Sequence, residues 1–545
     1  MPTIERLILK NFKKFRDFDV SFDDKLNILA GGNEAGKSSI LQAIDLALSS
    51  SRSKVEALGV ETIFSAQAIS EFLGGDRNVA NLPVLHIEVY FKGLGDQEFD
   101  GRNNSLRRDG CGIRVSCLPM DEYTDEIKKA LADKDGSFPF EFYEVRFRTF
   151  ADRTLLPYRK PLKHLLIDSS QINNDYANRD YTRAMYVAQS TPSERNKHAY
   201  QYRKAKRVFR DTSLKAMNDT VVDYKFDVRS SSKSSIESDL VITEDDIPIE
   251  GKGKGRQCFI KTEFALRNRE SALDLLLLEE PENHLSHVHM HKLIQRIDAS
   301  KDKQLFIATH SSFIATRLNL RKVLLLNEVG AAKPASLQNL TDDTARFFMK
   351  APDNNVLELS LCNRAILVEG DAEFILLGAL YEACSGGSST EKDGIHVISV
   401  DGTSFKRYME LAKVLGIKVA IVRDNDTDYQ LNCVDNYKDF VSDKIRVFAD
   451  PDPARSTFEI CIYQDNTKSC DDMFAAGRRT LSVQDYMLDN KTEVAFRLLE
   501  KHGKALTVPP YIEQAIAWIR GWRLLSRAPA RHPCWFPNLI LIVDS

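Results

Sequence analysis

The chain has 545 residues, more than one compact core normally holds, and the usual domain size predicts two to four domains. Its 43% hydrophobic and 28% charged residues are typical of a globular protein and exclude a disordered or fibrous one. The formal net charge of −3 excludes overall basicity as a means of binding nucleic acid, so a basic surface would have to be local.

The sequence contains no apolar run near the roughly 18 residues that span a bilayer. Its N-terminal residues lack the apolar segment of a signal peptide. The nine cysteines are scattered without a CxxC pair, which is typical of thiols in a reducing compartment. We therefore expect a cytoplasmic protein that has no membrane partner.

The first part of the chain has an α/β pattern. Residues 4–9 alternate as in a strand, and the strand pattern of residues 25–29 leads through a glycine-rich loop into a helical pattern at 37–48. Further strands are predicted at residues 84–91, 273–278 and 304–308. The polar, charged segment of about 155–238 reads as a mainly helical insertion that leaves this core and returns to it.

A second α/β pattern begins near residue 365. Strands are predicted at 365–368, 396–400 and 419–422, with helices at 373–381 and 404–415. Strands that alternate with helices predict a parallel sheet. Beyond residue 451 the patterns are mostly helical.

Residues 31–38, GGNEAGKS, fit the phosphate-binding pattern G-x-x-x-x-G-K-[ST]. Glycines let the backbone wrap closely around phosphates, Lys37 would reach the β- and γ-phosphates, and Ser38 would bind Mg²⁺. The predicted strand before it and helix after it favour this interpretation over a simple glycine-rich turn. We expect ATP to contact Asn33, Glu34, Gly36, Lys37, Ser38 and Ser39.

Residues 275–282, LLLLEEPE, predict a buried strand with acids at its carboxyl end, where open α/β sheets bind ligands. Glu279 would hold the Mg²⁺ shell, and Glu280 would activate the attacking water as a catalytic residue. His310 ends the next strand and would sense the γ-phosphate. The alternative is an ordinary strand end with solvated acids.

These motifs resemble the ABC-type ATPase family, which includes SMC and RecF proteins, and residues 4–15 resemble its first strand and basic turn. The resemblance implies two ATPase heads that sandwich ATP, with a signature loop reaching across. Its best counterpart is residues 251–257, GKGKGRQ, which departs from the family's LSGGQ pattern and leaves a flexible basic loop as an alternative. The family usually has Asp where this chain has Glu279, which puts the hydrolysis rate in doubt.

Four nearby histidines, His284, His287, His289 and His291, suggest a metal site at first sight. We reject it because helix residues two positions apart point in different directions, and three of these histidines follow that spacing.

Acids also end two strands of the second pattern. Glu369 follows the strand at 365–368, and Glu373 follows one helical turn later on the same side. Asp424 and Asp426 follow the strand at 419–422, and strict alternation would send both to one side. Together they predict an oxygen-rich site for Mg²⁺ or Mn²⁺, with two solvated strand ends as the alternative.

This arrangement resembles the Toprim domain of topoisomerases, bacterial primases and OLD-family nucleases. The resemblance implies that Glu369, Asp424 and Asp426 bind a catalytic metal and that Glu373 completes a second metal position. Two metals about 4 Å apart would activate water and stabilise the leaving oxygen of a phosphodiester. Residues 401–404 would shape the pocket.

An ABC-type ATPase followed by a Toprim domain is the arrangement of the OLD (overcoming lysogenization defect) family. We therefore expect an α/β protein with an ATPase domain at 1–355, including the helical insertion, a Toprim parallel-sheet core at 356–450 and C-terminal helices at 451–545. Residues 490–493 and 509–512 resemble that family's C-terminal helices. Lys491 would stabilise transition-state charge, unless it is a solvated helix lysine.

The family implies an ATP-binding, Mg²⁺- or Mn²⁺-dependent endonuclease that cleaves DNA and forms a homodimer or higher homo-oligomer through its ATPase part. It also implies bacterial antiphage defence, with a partner such as a helicase or a retron reverse transcriptase with its DNA. The main alternative is a non-cleaving ATP-dependent DNA clamp or sensor with a degenerate Toprim domain. An RNA nuclease or primase-like enzyme differs from these in substrate.

The basic residues of segment 195–210 are interleaved with Tyr200, Tyr202 and Phe209. Such a pattern suits a phosphate backbone and unstacked bases. A solvated helix face and a dimer contact are the alternatives.

Overall fold

The chain folds into two compact units, Met1–Ala335 and Ser336–Ser545. The computed structural model describes residues 1–133, 137–171, 175–229, 235–267, 273–300, 302–326, 333–351, 355–402, 404–476 and 480–521. The first domain was predicted to end at residue 355, beyond the division between the units. Thr403 and the tail at 528–545 lie outside the described residues. No helix among the described residues is long and apolar enough to cross a membrane.

The strands up to this division include the five predicted at residues 4–9, 25–29, 84–91, 273–278 and 304–308, together with others that were not predicted. They are β1 (Thr3–Phe12), β2 (Phe15–Ser21), β3 (Leu26–Gly31), β4 (Leu85–Lys92), β5 (Asp100–Gly101), β6 (Gly110–Pro119), β7 (Tyr143–Thr149), β8 (His164–Asp168), β9 (Thr243–Glu244), β10 (Ile247–Pro248), β11 (Leu275–Glu279), β12 (Gln304–Thr309), β13 (Val323–Leu326) and β14 (Ala335–Ser336).

The α-helices described in the first unit carry the rest of its regular structure. They are α1 (Lys37–Ser49), α2 (Arg52–Leu58), α3 (Val60–Ile63), α4 (Ala66–Gly74), α5 (Thr124–Ala132), α6 (Asp175–Gln189), α7 (Pro192–Thr212), α8 (Lys215–Asn218), α9 (Ile236–Asp239), α10 (Lys254–Arg267), α11 (His287–Ala299) and α12 (Ser312–Asn319).

Two six-stranded sheets form the core of the first unit. One has the order β14-β13-β3-β12-β11-β8, and the pairs from β13 to β8 are parallel. The other is antiparallel, with the order β2-β1-β4-β6-β5 and β7 paired to β6. Apolar residues of α1 share one core cluster with both sheets. Strand β11 is apolar throughout its first four residues because neighbouring strands and packed layers bury it.

The amide of Gln304, at the start of β12, joins the two sheets through the backbone of β1. Its Oε1 accepts a hydrogen bond from the Ile4 backbone N–H at 2.8 Å. Its Nε2 donates to the carbonyls of Ile4 and Asp23, each at 2.8 Å. The side chain is fully buried, so these three hydrogen bonds satisfy backbone groups that water does not reach.

The helical insertion begins later than predicted. Strand β8 lies inside the segment assigned to the insertion, yet it pairs in parallel with β11 as part of the parallel sheet of the first unit. The strand was not predicted because its sequence is short and partly polar, and Leu165 and Ile167 are its buried apolar residues. His164 Nε2 lies 3.1 Å from Oδ1 of the buried Asp45 of α1. Helices α6 to α9 then form the insertion.

The second unit is a parallel α/β layer structure. Its strands are β15 (Arg364–Val368), β16 (His396–Ser399), β17 (Lys418–Val422) and β18 (Ile445–Phe448), in the all-parallel order β16-β15-β17-β18. Its α-helices are α13 (Asp342–Lys350), α14 (Val356–Leu361), α15 (Asp371–Cys384), α16 (Phe405–Leu415), α17 (Phe458–Asp465), α18 (Thr467–Phe474), α19 (Val483–Asp489), α20 (Lys491–His502) and α21 (Pro510–Arg520).

One face of this sheet packs against the C-terminal helices. Ile366, Val368, Ala420 and Val422 form a core cluster with apolar residues of α15 and of α17 to α21. The helices after residue 451 are therefore an integral layer of the second unit, as far as the described residues extend.

Candidate nucleotide and metal sites

The glycine-rich loop lies at the carboxyl edge of the parallel sheet in the first unit. Thr309 of β12 pairs with Ala30 of β3, and Ala308 pairs with Glu279 of β11. Because parallel strands end at the same edge, this register gathers the loop, the acids and His310 in one place.

Lys37 is buried within the loop. Its Nζ donates to the carbonyls of Gly31 at 2.8 Å and Gly32 at 2.9 Å. Burial lowers the pKa of Lys37, and the nearby carboxylates of Glu280, Glu282 and Glu279 counteract that shift. The predicted phosphate-binding lysine therefore faces the predicted acids.

The basic turn between β1 and β2 supports the loop. Lys14 Nζ donates to the carbonyl of Glu34 at 2.6 Å. Gly36 has a φ of +97°, and a Cβ there would lie 2.5 Å from Cζ of Phe15, so this position requires glycine. Asn33, Glu34 and Ser38 are exposed, and Ser39 is half-buried, at the start of α1.

Ser38 and Glu279, both predicted for the Mg²⁺ shell, are in contact. Burial raises the pKa of Glu279, a hydrogen bond with the Ser38 side chain lowers it, and the charge of Asp168 raises it further. Lys13, from the basic turn, is close enough to Glu279 for their charges to interact. An acid on β8 and a lysine on the turn thus belong to this site, although neither was singled out in the sequence.

Glu280 and His310 are neighbours. His310 Nδ1 lies 3.6 Å from Glu280 Oε1. Glu280 has a φ of 45°, and its Oε2 accepts a hydrogen bond from Nδ2 of Asn283 at 2.7 Å. This contact fixes the carboxylate that was predicted to orient the attacking water.

Glu282 is a site residue that was not predicted. It is buried, and its Oε1 accepts hydrogen bonds from the Thr309 hydroxyl and, at 3.1 Å, from the backbone N–H of His310. Its Oε2 has no hydrogen-bond partner among the described residues. The third acid of the LLLLEEPE motif was the available signal, and its role is to hold the end of β12 beside β11.

The predicted signature segment, residues 251–257, leads into α10. Lys252 Nζ lies 2.7 Å from Glu244 Oε2, and Arg256 also pairs with that carboxylate. These contacts, with Arg256 as the larger cause, lower the pKa of Glu244 to about 2. A Cβ on Gly255 would lie 2.0 Å from the carbonyl oxygen of His284, so the segment packs closely on the loop after β11.

The histidines of α11 pack against aromatic rings. The His287 and His291 rings lie 5.2 and 4.9 Å from the ring of Phe313, centroid to centroid. The His289 ring lies 5.1 Å from Phe259. These histidines thus make the ring contacts of packed side chains.

Three predicted acids gather at the carboxyl edge of the second unit's sheet. Val368 pairs with Val422, so Glu369 and Asp424 follow adjacent strand ends, and Glu373 lies in the first turn of α15. Burial raises the pKa of Glu373 to about 7 and that of Asp424 to about 8. The charge of Glu369 raises both pKa values further, and that of Glu373 also raises the pKa of Asp424. Burial also raises the pKa of Glu369.

A fourth buried acid, Glu459 of α17, joins this cluster and was missed in the sequence. Its charge raises the pKa of both Glu373 and Asp424. Lys491 Nζ lies 3.0 Å from Glu459 Oε2, so the predicted lysine faces the acids. An acid inside the apolar run FEICI was the available signal.

Asp426 lies beyond the end of strand β17, on which its orientation was predicted. Alternation would have aimed it with Asp424, but β17 ends at Val422 and Asp426 has a φ of 48°. Its side chain is 50% exposed, and its Oδ2 accepts a hydrogen bond from Nη2 of Arg423 at 2.7 Å. The predicted alternation therefore does not extend to Asp426, because period-two geometry ends with the strand, although the charge of Asp426 still raises the pKa of Glu369.

Arg423 holds this turn together. Its guanidinium is 3% exposed and donates to the carbonyl of Asp424 at 2.8 Å, to the Tyr437 hydroxyl at 2.8 Å and to Asp426. The Asp424 carboxylate accepts the backbone N–H of Phe458 at 2.7 Å. These contacts set the orientation of the acids before any ligand binds.

The donor chemistry of the cluster suits a hard divalent cation, since its ligands are carboxylate oxygens. Glu369 Oε2 is buried without a hydrogen-bond partner, which leaves it available as a ligand. Among the described residues, however, no three His, Cys, Asp or Glu side chains are positioned to hold a metal ion. The acids are thus neighbours whose present side-chain orientations do not form a ligand cage.

Comparisons with known families agree with the two predicted domain types. The family described as "Overcoming lysogenization defect protein-like, TOPRIM domain" matches residues 361–426, and an AAA domain family matches residues 6–135. No curated protein matches the chain in sequence. The predicted order of an ATPase domain followed by an OLD-like Toprim domain is confirmed.

Several solved structures are similar to parts of the chain. The Smc head domain with an extended coiled coil bound to the C-terminal domain of ScpA, from Pyrococcus furiosus, is 14% identical; the match covers 62% of this chain and 96% of that chain, with a TM-score of 0.33. The C-terminal region of the Burkholderia pseudomallei OLD protein is 24% identical, covering 30% and 98% of the two chains, with a TM-score of 0.23. That of Xanthomonas campestris pv. campestris is 21% identical, covering 29% and 95%, also with a TM-score of 0.23.

Proposed function

We propose that this chain, an AAA-type ATPase domain joined to an OLD-like Toprim domain, is an ATP-binding, divalent-metal-dependent DNA endonuclease. The observation that carries the proposal is the cluster of the buried Glu373, Asp424 and Glu459 with the half-buried Glu369, which faces Lys491. Burying several carboxylates together is unfavourable unless they are protonated or a cation neutralises them. A bound Mg²⁺ or Mn²⁺ would supply that neutralisation.

Glu369, Glu373 and Asp424 would hold the metal, and Asp426 would join them on leaving Arg423. A metal bound there would make water a stronger nucleophile and stabilise the leaving oxygen of a phosphodiester. Lys491 would donate a hydrogen bond to a phosphate oxygen, because its ammonium is already held beside the acids by Glu459.

In the ATPase domain, Lys37 would exchange its contacts with the carbonyls of Gly31 and Gly32 for ATP phosphates. Ser38 with Glu279 would hold the nucleotide's Mg²⁺, while Glu280 would orient water. The backbone from Asn33 to Ser39 would surround the phosphates. His310, held through Glu282, would sense the γ-phosphate.

The biological setting we propose follows from the OLD resemblance alone. It is bacterial antiphage defence, by a homodimer or higher homo-oligomer formed through the ATPase part. A neighbouring helicase, or a retron reverse transcriptase with its DNA, would be the partner class.

The first test is cleavage of plasmid DNA with Mg²⁺ or Mn²⁺, with and without ATP. We expect Asp424→Asn to lower the metal-dependent rate about a hundredfold or more, since it removes charge from the proposed metal shell. The matched control is Asp443→Asn, which makes the same change at an exposed position. Undiminished cutting by Asp424→Asn would reject the proposed site.

The ion pair between Arg423 and Asp426 favours a second candidate, a non-cleaving ATP-dependent DNA clamp or sensor. In that case the arginine would permanently occupy an acid that a nuclease needs for metal. Calorimetric titration with Mn²⁺ separates the two, because the clamp would bind no metal at these acids. Labelled RNA offered beside DNA would separate either candidate from an RNA nuclease.

A further inference from the structure

Helix α7 is the longest α-helix described in the insertion and has no buried residue. Its start is fixed by a capping box between Thr191 and Glu194. The helix contains seven Lys or Arg residues against Glu194 and Asp211, a formal local charge of +5, whereas the whole chain carries −3. This concentration of charge is local, as a nucleic-acid surface on this chain would have to be.

Three of the seven cationic side chains of α7 contact other residues of the insertion. Arg195 donates to the carbonyl of Val187 at 3.2 Å. Lys206 Nζ lies 3.7 Å from Asp239 Oδ2, and Arg210 Nη1 lies 3.4 Å from Asp227 Oδ2. These three residues lie on the inner face of α7, and their contacts within the insertion account for their charges.

The other four cations lie on or beside the outer face. Lys197, Tyr200, Lys204 and Arg207 follow the spacing i, i+3, i+7 and i+10, which places them in one line about 15 Å long. Arg203 lies beside this line, with its guanidinium carbon 5.9 Å from the centre of the Tyr200 ring. We name these five residues the α7 stripe.

The side chains of the α7 stripe are available to a ligand. Tyr200 is 59% exposed and the Arg207 side chain 77% exposed. Within the part of the chain that the structure describes, Lys197, Arg203 and Lys204 make no hydrogen bond or ion pair. Arg207 has only a long contact of 3.8 Å to Asp211. Surface cations held this weakly cost little to redirect toward another anion.

We propose that the α7 stripe binds the phosphate backbone of DNA. Closely spaced phosphates match a line of cations, and such contacts position DNA without reading its sequence. The exposed ring of Tyr200 adds a surface on which an unpaired base can stack. A membrane surface fits less well, because the exposed apolar side chains of α7, such as Val208, do not form a continuous apolar face beside the cations. The inference rests on the proposed function only in taking DNA as the polyanion.

The test is DNA binding by the full chain in EDTA, so that binding is measured without cleavage. Fluorescein-labelled single- and double-stranded DNA would be titrated by anisotropy at several salt concentrations. We expect Lys197→Gln/Lys204→Gln/Arg207→Gln to weaken binding about tenfold or more and to reduce the salt slope on duplex by about 3. Glutamine keeps helix propensity, and circular dichroism would verify the fold.

The matched control is Lys128→Gln/Lys129→Gln/Lys392→Gln, which removes the same charge at exposed positions elsewhere. The proposal is wrong if the two triple variants bind alike, or if the wild-type chain binds neither DNA. It is also wrong if the loss of affinity coincides with a lower solution mass by light scattering, since the stripe would then join copies of this chain.

The failure of this inference is distinguishable from that of the proposed function. Asp424→Asn should lose cutting, while the stripe substitutions should still weaken its DNA binding in EDTA. If the wild type binds DNA through the stripe but shows no metal-dependent cutting, the proposed nuclease function is wrong and the proposed role of the stripe stands. If the wild type cuts DNA with metal and the stripe variant binds DNA with unchanged affinity, the proposed role of the stripe is wrong and the nuclease function stands.

Discussion

The buried acids of the second unit are held by a fold that favours their protonated form. The ordinary pKa of a carboxyl is about 4, whereas burial and the charges of neighbouring carboxylates raise the pKa of Glu373 to about 7 and of Asp424 to about 8. Each therefore contributes stability that is complete below about pH 4 and is lost as the pH rises through 7 to 8. Without metal, the second unit should lose stability over this window.

Removing one of these charges should stabilise the metal-free protein at alkaline pH. We expect Asp424→Asn to raise the melting temperature at pH 8 in EDTA by about 3 °C, and to abolish the further rise that Mn²⁺ produces in the wild type. Its Oδ1 can still accept the Phe458 N–H. Differential scanning fluorimetry at pH 5 and 8 provides the measurement. A lower melting temperature at pH 8, relative to Asp443→Asn, would contradict the argument.

Arg423 should be a large contributor to stability, because its buried guanidinium makes three hydrogen bonds. We expect Arg423→Gln to lower the free energy of unfolding by about 2–4 kcal/mol, since it leaves buried partners unsatisfied. Urea denaturation would measure it. Arg497→Gln is the control, because that residue forms an exposed pair with Glu493. Equal, small losses in both variants would refute the assigned role.

At the scale of elements, Gln304 decides how the two sheets of the first unit meet. A glutamine at the start of a buried strand is costly unless its amide is satisfied, and here the backbone of β1 and the carbonyl of Asp23 satisfy it. The amide thus links β12, inside the parallel sheet, to β1, which lies between β2 and β4 in the antiparallel sheet.

We expect Gln304→Leu to lower the free energy of unfolding by about 2–4 kcal/mol, because the buried N–H and carbonyl of Ile4 would lose their hydrogen bonds to the amide. The change can be measured by urea denaturation of the full chain. Gln295→Leu, at an exposed position of α11, should change it by less than about 0.5 kcal/mol. A Gln304 variant as stable as this control would show that other groups join the sheets.

At the scale of the whole molecule, the two proposed ligand sites lie in different compact units. A ligand that binds only the native state stabilises the unit that contains its site. The stability of the first unit should therefore respond to ATP, and the stability of the second unit to metal.

Calorimetry should consequently resolve two ligand responses. ATP at about one hundred times its Kd should stabilise the first unit by about 2.7 kcal/mol, whereas Mn²⁺ should act on the second. Lys37→Ala should remove the ATP response and keep the Mn²⁺ response, and Asp424→Asn should do the opposite. If either variant removed both responses, the two sites would not be independent.

Local sequence was sufficient to predict the two domain types and the strands and helices that precede and follow the two sites. Residues 31–38 and 275–282 carry their chemistry in consecutive positions, and the strands around them alternate or are continuously apolar because of neighbours of the same sheet. The predicted strand at 84–91 became β4 (Leu85–Lys92), and the helix at 37–48 became α1. Patterns with a period of 2.0 or 3.6 residues need no knowledge of distant parts of the chain.

Only the tertiary structure decided which side chains meet. Glu459 joins acids some ninety residues earlier because α17 packs at the end of β15 and β17, and Asp168 joins Glu279 because β8 pairs with β11. The Asp426 carboxylate accepts a hydrogen bond from Arg423 because β17 ends before it, and no pattern of residues predicted this contact. The amino-acid sequence alone therefore determined the chemistry that each strand end offers, since that depends on neighbours along the chain. The composition and orientation of each site depended on sheet register, helix packing and charge pairing across long sequence separations.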